Sequence, residues 1–408
     1  MKLTRKQFIG SIISSVAALA SFGASSDTHK KGQLHLNGGT HKLKKLVLGD
    51  DNFIKGPGTI EIDGPDAILV AGRNVTIDNV VFKTTIGPSK QSSIIKMLEG
   101  CSNLIIRNCH FSGNAYCVLK ADVNTNEDKD LTYKNPVGPL LFRGNTCFGF
   151  SRHLFLSNVT NLNIEGNVFE KSVRDSIRLR QAVKKVIISK NQFNNIGVDH
   201  KESSDAIDTY WSGEELVINS NIVDGCAVHG FDLKGISPDK EGSSSKVIVD
   251  GNIIKNCKFS GLLISSGMTY KHKSNMVTDI IIKANIITNC NLNNANPNDA
   301  AIFLRHGVQG CIITQNKVTI NNGHAVVIGN FDENAKQTKD ITIVENQLKA
   351  TKGLCLYLLA PRNIVVARNI LQHSKNMKAY HVVKSFKKFK LAKFIEIDNL
   401  ESVINDQA

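Results

Sequence analysis

Two short segments of the sequence each place a carboxylate among apolar residues. One reads Ala-Ile-Asp-Thr around Asp208, and the other reads Gly-Phe-Asp-Leu-Lys with Asp232 and Lys234. A similar segment upstream carries Arg178 and Arg180. Carboxylates, a lysine and arginines held together can transfer protons, recognise an acidic ligand or hold a cation. Which chemistry is available depends on whether the fold brings these segments side by side.

A repeat in the sequence indicates which elements carry these residues. The unit is apolar-x-apolar-x-x-Asn-x-apolar, as in the stretches 162–169 and 186–193. Alternation with period two on both sides of a sharp turn predicts short strands, and a recurring unit of this length predicts a solenoid. The Asn is expected to adopt left-handed backbone and to bond the adjacent coil through its amide. The predicted turn residues are Asn145, Asn167, Asn191, Asn221, Asn252, Asn285, Asn316, Asn346 and Asn369.

A third apolar strand follows each Asn turn and the strand after it. Examples are the stretches 176–180, 206–210, 230–234, 261–264, 301–305 and 325–328. Three strands in each of about twelve coils, with no helical periodicity, predict an all-β chain folded as one parallel β-helix with an Asn ladder.

With this coil pattern and Asn turn, the chain resembles the right-handed β-helix proteins of the pectate-lyase-like superfamily over roughly residues 33–400. The resemblance implies a single right-handed domain with three sheets. It also implies that the third sheet, flanked by variable loops, carries a substrate groove. The expected domain runs from 25 to 408 and ends in a basic segment around Lys384–Lys390.

The outward face of the third sheet gathers the polar residues in this arrangement. Because alternate strand residues face opposite sides, Ile177, Ile207 and Phe231 point inward and their neighbours point outward. Asp208 and Asp232 then lie side by side on coils about 4.8 Å apart, in a column expected to face solvent. Long loops are expected to wall the groove, namely 121–139, 195–204, 236–245, 266–279, 291–299 and 330–340.

This column suits β-elimination of a uronic-acid polysaccharide, in which the proton on C5 must be removed beside a carboxylate. Arg178 and Arg180 are expected to neutralise that carboxylate; alternatively, a Ca²⁺ bound by Asp205, Asp208 and Asp232 does so. The expected base is Lys234, with its pKa lowered by the neighbouring arginines, or His229. Tyr210 or His229 would protonate the leaving oxygen. The residues predicted to bind substrate are Lys120, Phe155, Trp211, His200, Arg305 and His306.

Other activities fit parts of the same pattern. The phrase His-Gly-Phe-Asp-Leu-Lys at 229–234 resembles the Tyr-Gly-Phe-Asp-Pro-His signature of mannuronan C5-epimerases. That resemblance makes Asp232 the essential aspartate, with His229 and Lys234 at the tyrosine and histidine positions. Two carboxylates about 5 Å apart would also suit a retaining glycoside hydrolase. Two further hypotheses remain. The protein is a non-catalytic carbohydrate-binding β-helix, or the column is only a solvated face stabilised by cross-strand ion pairs.

The overall charge favours an acidic partner. Lys and Arg total 50 against 36 for Asp and Glu, a net charge of +14. Such a balance attracts polyanions, and the single Trp, six Tyr and lack of a nucleic-acid-binding motif favour an acidic polysaccharide over nucleic acid. No segment has the length and apolarity of a membrane span, and a monomer is expected.

The N-terminus and the cysteines bear on the compartment. Residues 1–24 combine a basic start, an apolar run and small residues before Ser21, which predicts a Sec or twin-arginine-like signal peptide and a periplasmic or secreted protein. The nine cysteines show no metal-binding spacing. Cys226, Cys257 and Cys290 recur at one repeat position, so a stack of buried thiols is expected there rather than disulfides.

Overall fold

The computed structural model describes most of the chain from Gly32 onward. The described residues are 32–89, 92–121, 136–180, 183–197, 204–210, 215–234, 245–266, 277–291, 300–329, 337–383, 385–386, 389–390 and 393–404. The predicted signal peptide lies outside these residues, as do most of the predicted groove loops. Within the described part every regular element is a strand, and no helix there could cross a membrane.

Three parallel sheets run the length of the molecule, and each coil contributes one strand to each sheet. Sheet 1, which precedes the Asn turn, contains Gln33–His35, Phe53–Lys55, Arg73–Asp78, Ser102–Arg107, Leu140–Arg143, Thr160–Glu165, Lys184–Ser189, Leu216–Asn219, Val247–Asp250, Val277–Lys283, Val308–Thr314, Lys339–Val344, Arg362–Ala367 and Phe394–Ile397.

Sheet 2 follows the Asn turn. It contains Thr40–Leu43, Thr59–Ile62, Val81–Thr84, His110–Gly113, Thr146–Gly149, Val168–Glu170, Gln192–Ile196, Ile222–Cys226, Ile253–Cys257, Ile286–Thr288, Lys317–Asn322, Gln347–Lys352, Ile370–Ser374 and Leu400–Ile404.

Sheet 3 completes each coil with Leu46–Leu48, Ile68–Val70, Ser93–Met97, Cys117–Ala121, Leu154–Ser157, Ile177–Arg180, Ile207–Tyr210, Phe231–Lys234, Leu262–Ser265, Ala300–Arg305, His324–Gly329, Leu356–Leu359 and Tyr380–Val383. A short antiparallel pair, Ser385–Phe386 with Phe389–Lys390, lies beyond it. The predicted single parallel β-helix is confirmed, with 13 strands in this sheet and 14 in each of the others.

The interior of the coil is a continuous column of apolar side chains. Ile177, Ile207, Phe231, Leu262 and Ile302 are all fully buried, as the period-two alternation predicts. All nine cysteines are buried and free, and Cys226 lies in register with Cys257 on the next coil. The prediction of stacked thiols rather than disulfides is therefore confirmed.

The Asn ladder joins successive coils at the turn between sheets 1 and 2. Asn346 is representative: its side-chain amide donates to Asn369 Oδ1 at 3.0 Å and to the carbonyl of Ile313 at 2.9 Å. Its own Oδ1 accepts from the backbone N–H of Asn316 at 3.0 Å. The ladder continues past the predicted turns to Asn399, which accepts from Asn369. Each amide thus pairs buried backbone groups of neighbouring coils, which would otherwise be left unsatisfied.

The predicted left-handed backbone conformation of these asparagines is wrong. The left-handed residue is the one before each ladder Asn, for example Lys190 (φ 56°), Ala284 (φ 53°) and Glu345 (φ 58°). The Asn is selected by its hydrogen bonds, and the residue before it absorbs the backbone strain of the turn.

A second side-chain ladder lies at the corner before sheet 3. Asp175 Oδ1 accepts the backbone N–H of Asp205 at 3.3 Å, Asp205 Oδ1 accepts that of His229 at 2.8 Å, and His229 Nδ1 accepts that of Ser260 at 3.1 Å. His324 repeats the pattern three coils after His229, accepting the N–H of Leu354 at 3.0 Å. This corner ladder links coils directly beneath the polar column of sheet 3.

We expect Asn346→Ala to lower the free energy of unfolding by about 1–3 kcal/mol, because it leaves buried donors on Asn316 without an acceptor. The adjacent Gln347 is exposed and makes a matched control, for which Gln347→Ala should change stability by no more than about 0.5 kcal/mol. Thermal or denaturant unfolding measures both. Equal losses in the two variants would contradict the structural role of the ladder.

Candidate functional site

The strand register of sheet 3 places the predicted polar residues in one outward ladder. Phe155 pairs with Arg178, Arg178 with Asp208, and Asp208 with Asp232. Lys120 precedes Phe155 on the previous coil. The ladder continues beyond Asp232 through Leu263, Phe303, Val327, Tyr357 and His381. Strand alternation thus predicted the order of these side chains correctly.

Their predicted exposure is wrong. Asp208 is 1% exposed and Asp232 is 5% exposed, so the carboxylates do not face open solvent. Lys234 and Arg178 retain 24% and 13% side-chain exposure, and they form the accessible edge of the group. Alternation shows which side of the sheet a residue occupies, whereas its exposure depends on what covers that side.

The side chains form a chain of alternating charges. Arg152 Nε contacts Asp175 Oδ2 at 3.2 Å, and Arg178 Nη1 contacts the same oxygen at 2.8 Å. Arg178 Nε reaches Asp208 Oδ2 at 3.1 Å. Lys234 Nζ contacts Asp208 Oδ1 at 3.1 Å and also Asp232 Oδ2. We call Arg152, Asp175, Arg178, Asp205, Asp208, Asp232 and Lys234 the charge cluster.

Burial makes the charged forms of Asp175, Asp205 and Asp232 unfavourable. It raises the pKa of Asp232 to about 6, with Lys234 opposing that rise and Asp208 adding to it. The pKa of Asp205 is raised well above its ordinary value by burial and by Asp232 and Asp175. Burial also raises the pKa of Asp175, although Arg152 and Arg178 oppose the effect. Asp232 can therefore change protonation near neutral pH, the range in which an acid or base catalyst operates.

Lys234 is not suited to the role of base predicted from the sequence. Burial lowers the pKa of Lys234, but the Asp208, Asp232 and Asp205 carboxylates outweigh burial and hold the pKa above its ordinary value. The expected lowering by arginines is wrong, because the nearest charges are carboxylates. Lys234 is a fixed cation at the accessible edge of the cluster.

His229 is held in one tautomer. Its Nδ1 accepts the Ser260 N–H, so in the neutral ring the proton sits on Nε2. Burial, with the positive charges of Lys234 and Arg305, lowers the pKa of His229 to about 3. At neutral pH His229 is thus a hydrogen-bond donor at Nε2, and it cannot accept a proton there as the alternative base.

Three polar atoms beside Lys234 and His229 lack partners. Asp232 Oδ1, Ser260 Oγ and Ser265 Oγ are buried and make no hydrogen bond within the described part of the chain. Ser265 pairs in register with Lys234 on the next coil. Buried polar atoms without partners also occur elsewhere in the described chain, as at Asn163 and Asn219. These three, however, lie beside Lys234 and His229, where a bound ligand would complete their hydrogen bonds.

The fit of a calcium ion is poor. One oxygen from each of Asp205, Asp208 and Asp232 lies within 4.8 Å of the others, close enough to share a cation. However, Lys234 Nζ already contacts Asp208 and Asp232, and Asp205 Oδ1 is bonded to the His229 N–H. Calcium requires six to eight oxygen ligands. The three carboxylates fit the lysine ammonium better than calcium.

The other predicted site residues lie outside the charge cluster. Lys120, Phe155 and His306 are buried, and Arg305 lies with its guanidinium 5.6 Å from the Phe303 ring centroid. Arg180 is also buried and pairs in register with Tyr210, whose side chain is not described. His200 and Trp211 lie outside the described residues, so their predicted binding roles stay predictions.

Sequence reasoning missed two members of the charge cluster, Arg152 and Asp175. Both lie at the corner just before a sheet-3 strand, and the prediction considered only residues within the strands. Arg152 Nη1 also donates to the Tyr116 hydroxyl at 2.7 Å. A polar residue recurring two positions before the third strand, as at Asp175 and Asp205, was the available signal.

Comparison with known proteins identifies the fold family. The family model described as a right handed beta helix region matches residues 58–279 and 241–390. The chain belongs to this right-handed β-helix family. Comparison with the curated proteins found no matching sequence.

Several solved structures are similar in fold. The Dettilon tailspike protein is 17% identical with a TM-score of 0.52, over 95% of this chain, which spans only 64% of the tailspike chain. The A-module of a mannuronan C-5 epimerase from Azotobacter vinelandii is 10% identical with a TM-score of 0.49, covering 96% of this chain and 93% of that one. A PL6 family polysaccharide lyase from Pseudopedobacter saltans is 12% identical with a TM-score of 0.47, covering 91% and 88%.

The raised pKa of Asp232 predicts a pH effect on stability. A carboxyl whose folded-state pKa of about 6 exceeds its ordinary 3.8 favours folding below pH 4, and this contribution of about 3 kcal/mol is lost as the pH rises through 6. Asp232→Asn should therefore flatten the pH dependence of the unfolding free energy between pH 4 and 7. At pH 8 it should be at least as stable as the wild type. A large loss of stability at pH 8 would instead make the Asp232–Lys234 pair a structural ion pair.

Proposed function

We propose that the protein is an exported enzyme that cleaves an acidic polysaccharide by β-elimination at the charge cluster. The main support is a contrast within one ladder of sheet 3. Arg178, Asp208 and Asp232 occupy it on three coils, whereas the next three coils carry Leu263, Phe303 and Val327 at the same place.

Stability alone does not account for the charges. Buried ion pairs seldom stabilise more than well-packed apolar residues, because both ions lose their hydration. The apolar coils that follow show that the same ladder folds without charge. Placing these carboxylates together in a buried site also makes Asp175, Asp205 and Asp232 harder to ionise, as their raised pKa values indicate. Such an arrangement is typical of functional sites.

The accessible edge of the cluster suits an acidic sugar. Lys234 and Arg178 are its most exposed charged groups, and both are cations. A uronate carboxylate approaching this edge would pair with Lys234, and the positive charge would stabilise the second negative charge that develops when C5 loses its proton. The net charge of +14 would attract the polymer as a whole.

Asp232 is the candidate base. Its unpartnered Oδ1 would take the proton from C5 of the sugar, and that electron pair would form the double bond between C4 and C5. The bond from C4 to the glycosidic oxygen breaks, and that oxygen must gain a proton to leave as a hydroxyl. A hydrogen bond from His229 Nε2–H would stabilise the leaving oxygen, and the proton held by Asp232 or one from solvent would then complete the reaction.

A retaining glycoside hydrolase is the second candidate, because Asp208 and Asp232 have oxygens within 4.8 Å of each other. Carboxyl groups about 5 Å apart suit a nucleophile and an acid on one face of a sugar. The raised pKa of Asp232, about 6, would fit the acid. Asp208, held between Arg178 and Lys234, would be the nucleophile.

The two mechanisms predict opposite pH limbs for the same residue. As a base, Asp232 must be ionised, so kcat/KM should fall as pH drops below about 6. As an acid, it must be protonated, so kcat/KM should fall as pH rises above about 6.

Purified protein is incubated with alginate, polygalacturonate and a neutral glucan, and ultraviolet absorbance and reducing ends are followed. We expect an unsaturated, ultraviolet-absorbing product from an acidic polymer and an acidic limb near pH 6.

Each alternative leaves a distinct result. Reducing ends without ultraviolet absorbance, together with an alkaline limb, would replace the lyase by the hydrolase. Exchange of the C5 proton with solvent deuterium without chain cleavage would indicate an epimerase. No change in any polymer would remove the proposal.

Lys234→Met tests the cation at the edge of the site. We expect it to lower kcat/KM by about 10²-fold or more, because a charge that stabilises the transition state is lost. Lys246 makes an exposed ion pair with Glu215, and each residue immediately precedes a strand of sheet 1. It supplies the control Lys246→Met, for which turnover should be unchanged. Circular dichroism and the melting temperature verify folding. Near-normal turnover of folded Lys234→Met would contradict its role.

A further inference from the structure

The outward ladder of sheet 3 opens again beyond its apolar stretch. Leu263, Phe303 and Val327 are buried, but Tyr357 on the next coil is half-buried and His381 on the coil after that is exposed. Tyr357 pairs with Val327 on one side and with His381 on the other. The ladder therefore carries a set of charged residues and a set of aromatic residues, and buried apolar residues separate the two sets.

Three aromatic rings lie next to one another on successive coils. The centroids of Tyr357 and His381 are 5.8 Å apart with the planes inclined by only 22°. His324 lies on the other side of Tyr357, with centroids 5.1 Å apart and the planes tilted by 41°. His324 is oriented by the corner ladder, because its Nδ1 accepts the Leu354 N–H. We call Tyr357, His381 and His324 the aromatic platform.

Cross-strand aromatic pairs stabilise sheets, and that contribution accounts for part of this stack. It does not explain why these rings, which carry polar groups at their edges, are left accessible at the end of a buried ladder. Tyr357 is half-buried and His381 is exposed to solvent. The turn leading into Tyr380–Val383 also carries exposed Lys375 and Lys378. Flat rings with polar edges match a sugar that has an apolar C–H face and hydroxyls. The exposed lysines of the preceding turn add positive charge at this end of sheet 3, which suits a sugar carboxylate.

We infer that the aromatic platform is a distal subsite at which an acidic polysaccharide chain stacks while it is cleaved at the charge cluster. Tyr357 lies four strands from Asp232, so the separation is roughly 19 Å at about 4.8 Å per strand. Arg305 lies between the two on the neighbouring row, in register with Ser265 and Gly329. A ligand chain several sugars long would follow the helix axis past Arg305. The inference rests on the proposed function and adds to it a preference for long substrates.

The test compares substrates of different length. Alginate, polygalacturonate and their size-fractionated oligomers are assayed for kcat/KM and, separately, for binding by calorimetry. Tyr357→Ala and His381→Ala should each weaken binding and kcat/KM by about 2- to 10-fold for the polymer, the range of one aromatic stacking contact. The shortest oligomers that the wild type cleaves should be unaffected. Phe148→Ala removes an exposed ring from sheet 2 and should change neither the binding of the polymer nor its kcat/KM.

The outcomes separate this inference from the proposed function. If Asp232→Asn abolishes turnover but Tyr357→Ala matches the wild type on every length, the platform is only a structural stack. If no acidic polymer is cleaved but Tyr357→Ala and His381→Ala still weaken its binding, the proposed activity is wrong and the binding site stands. If the wild type neither binds nor cleaves any acidic polymer, both are overturned.

Discussion

The register between successive coils is the constraint on which the rest of this protein depends. Every coil is hydrogen-bonded to its neighbours, so a slip by one residue would turn inward side chains outward along a whole strand. The Asn ladder opposes such a slip, because each amide fits only when the buried turn of the next coil is directly opposite. The close approach of Asp208 and Asp232 is a consequence of that register.

The corner ladder gives the charge cluster its rigidity. Asp175 and Asp205 each use one oxygen to bind the backbone of the following coil, and Asp175 uses its other oxygen for Arg152 and Arg178. The same side chains therefore hold the scaffold and orient the cations. Pre-organised charges of this kind need little rearrangement when charge develops on a ligand, which is the condition under which electrostatic stabilisation is most effective.

Burial determines the chemistry of the cluster more than the choice of residues does. Placed in water, Asp232 would be an ordinary carboxylate; with 5% exposure and Asp208 beside it, its pKa rises to about 6. Lys234 shows the opposite balance, because three carboxylates outweigh the same burial. Neighbouring groups of opposite sign thus acquire opposite roles, one titrating near neutral pH and the other permanently charged.

The sequence by itself determined the architecture. Period-two alternation and the recurrent Asn predicted the strands, their inward residues and the order of the outward ladder, because these depend on local periodicity and on a repeat that stacks in only one way. Only the tertiary structure decided the exposure of Asp208 and Asp232, the protonation of Lys234, the tautomer of His229 and the contribution of Arg152 and Asp175. Those properties depend on distances between coils and on desolvation, which no spacing along the chain encodes.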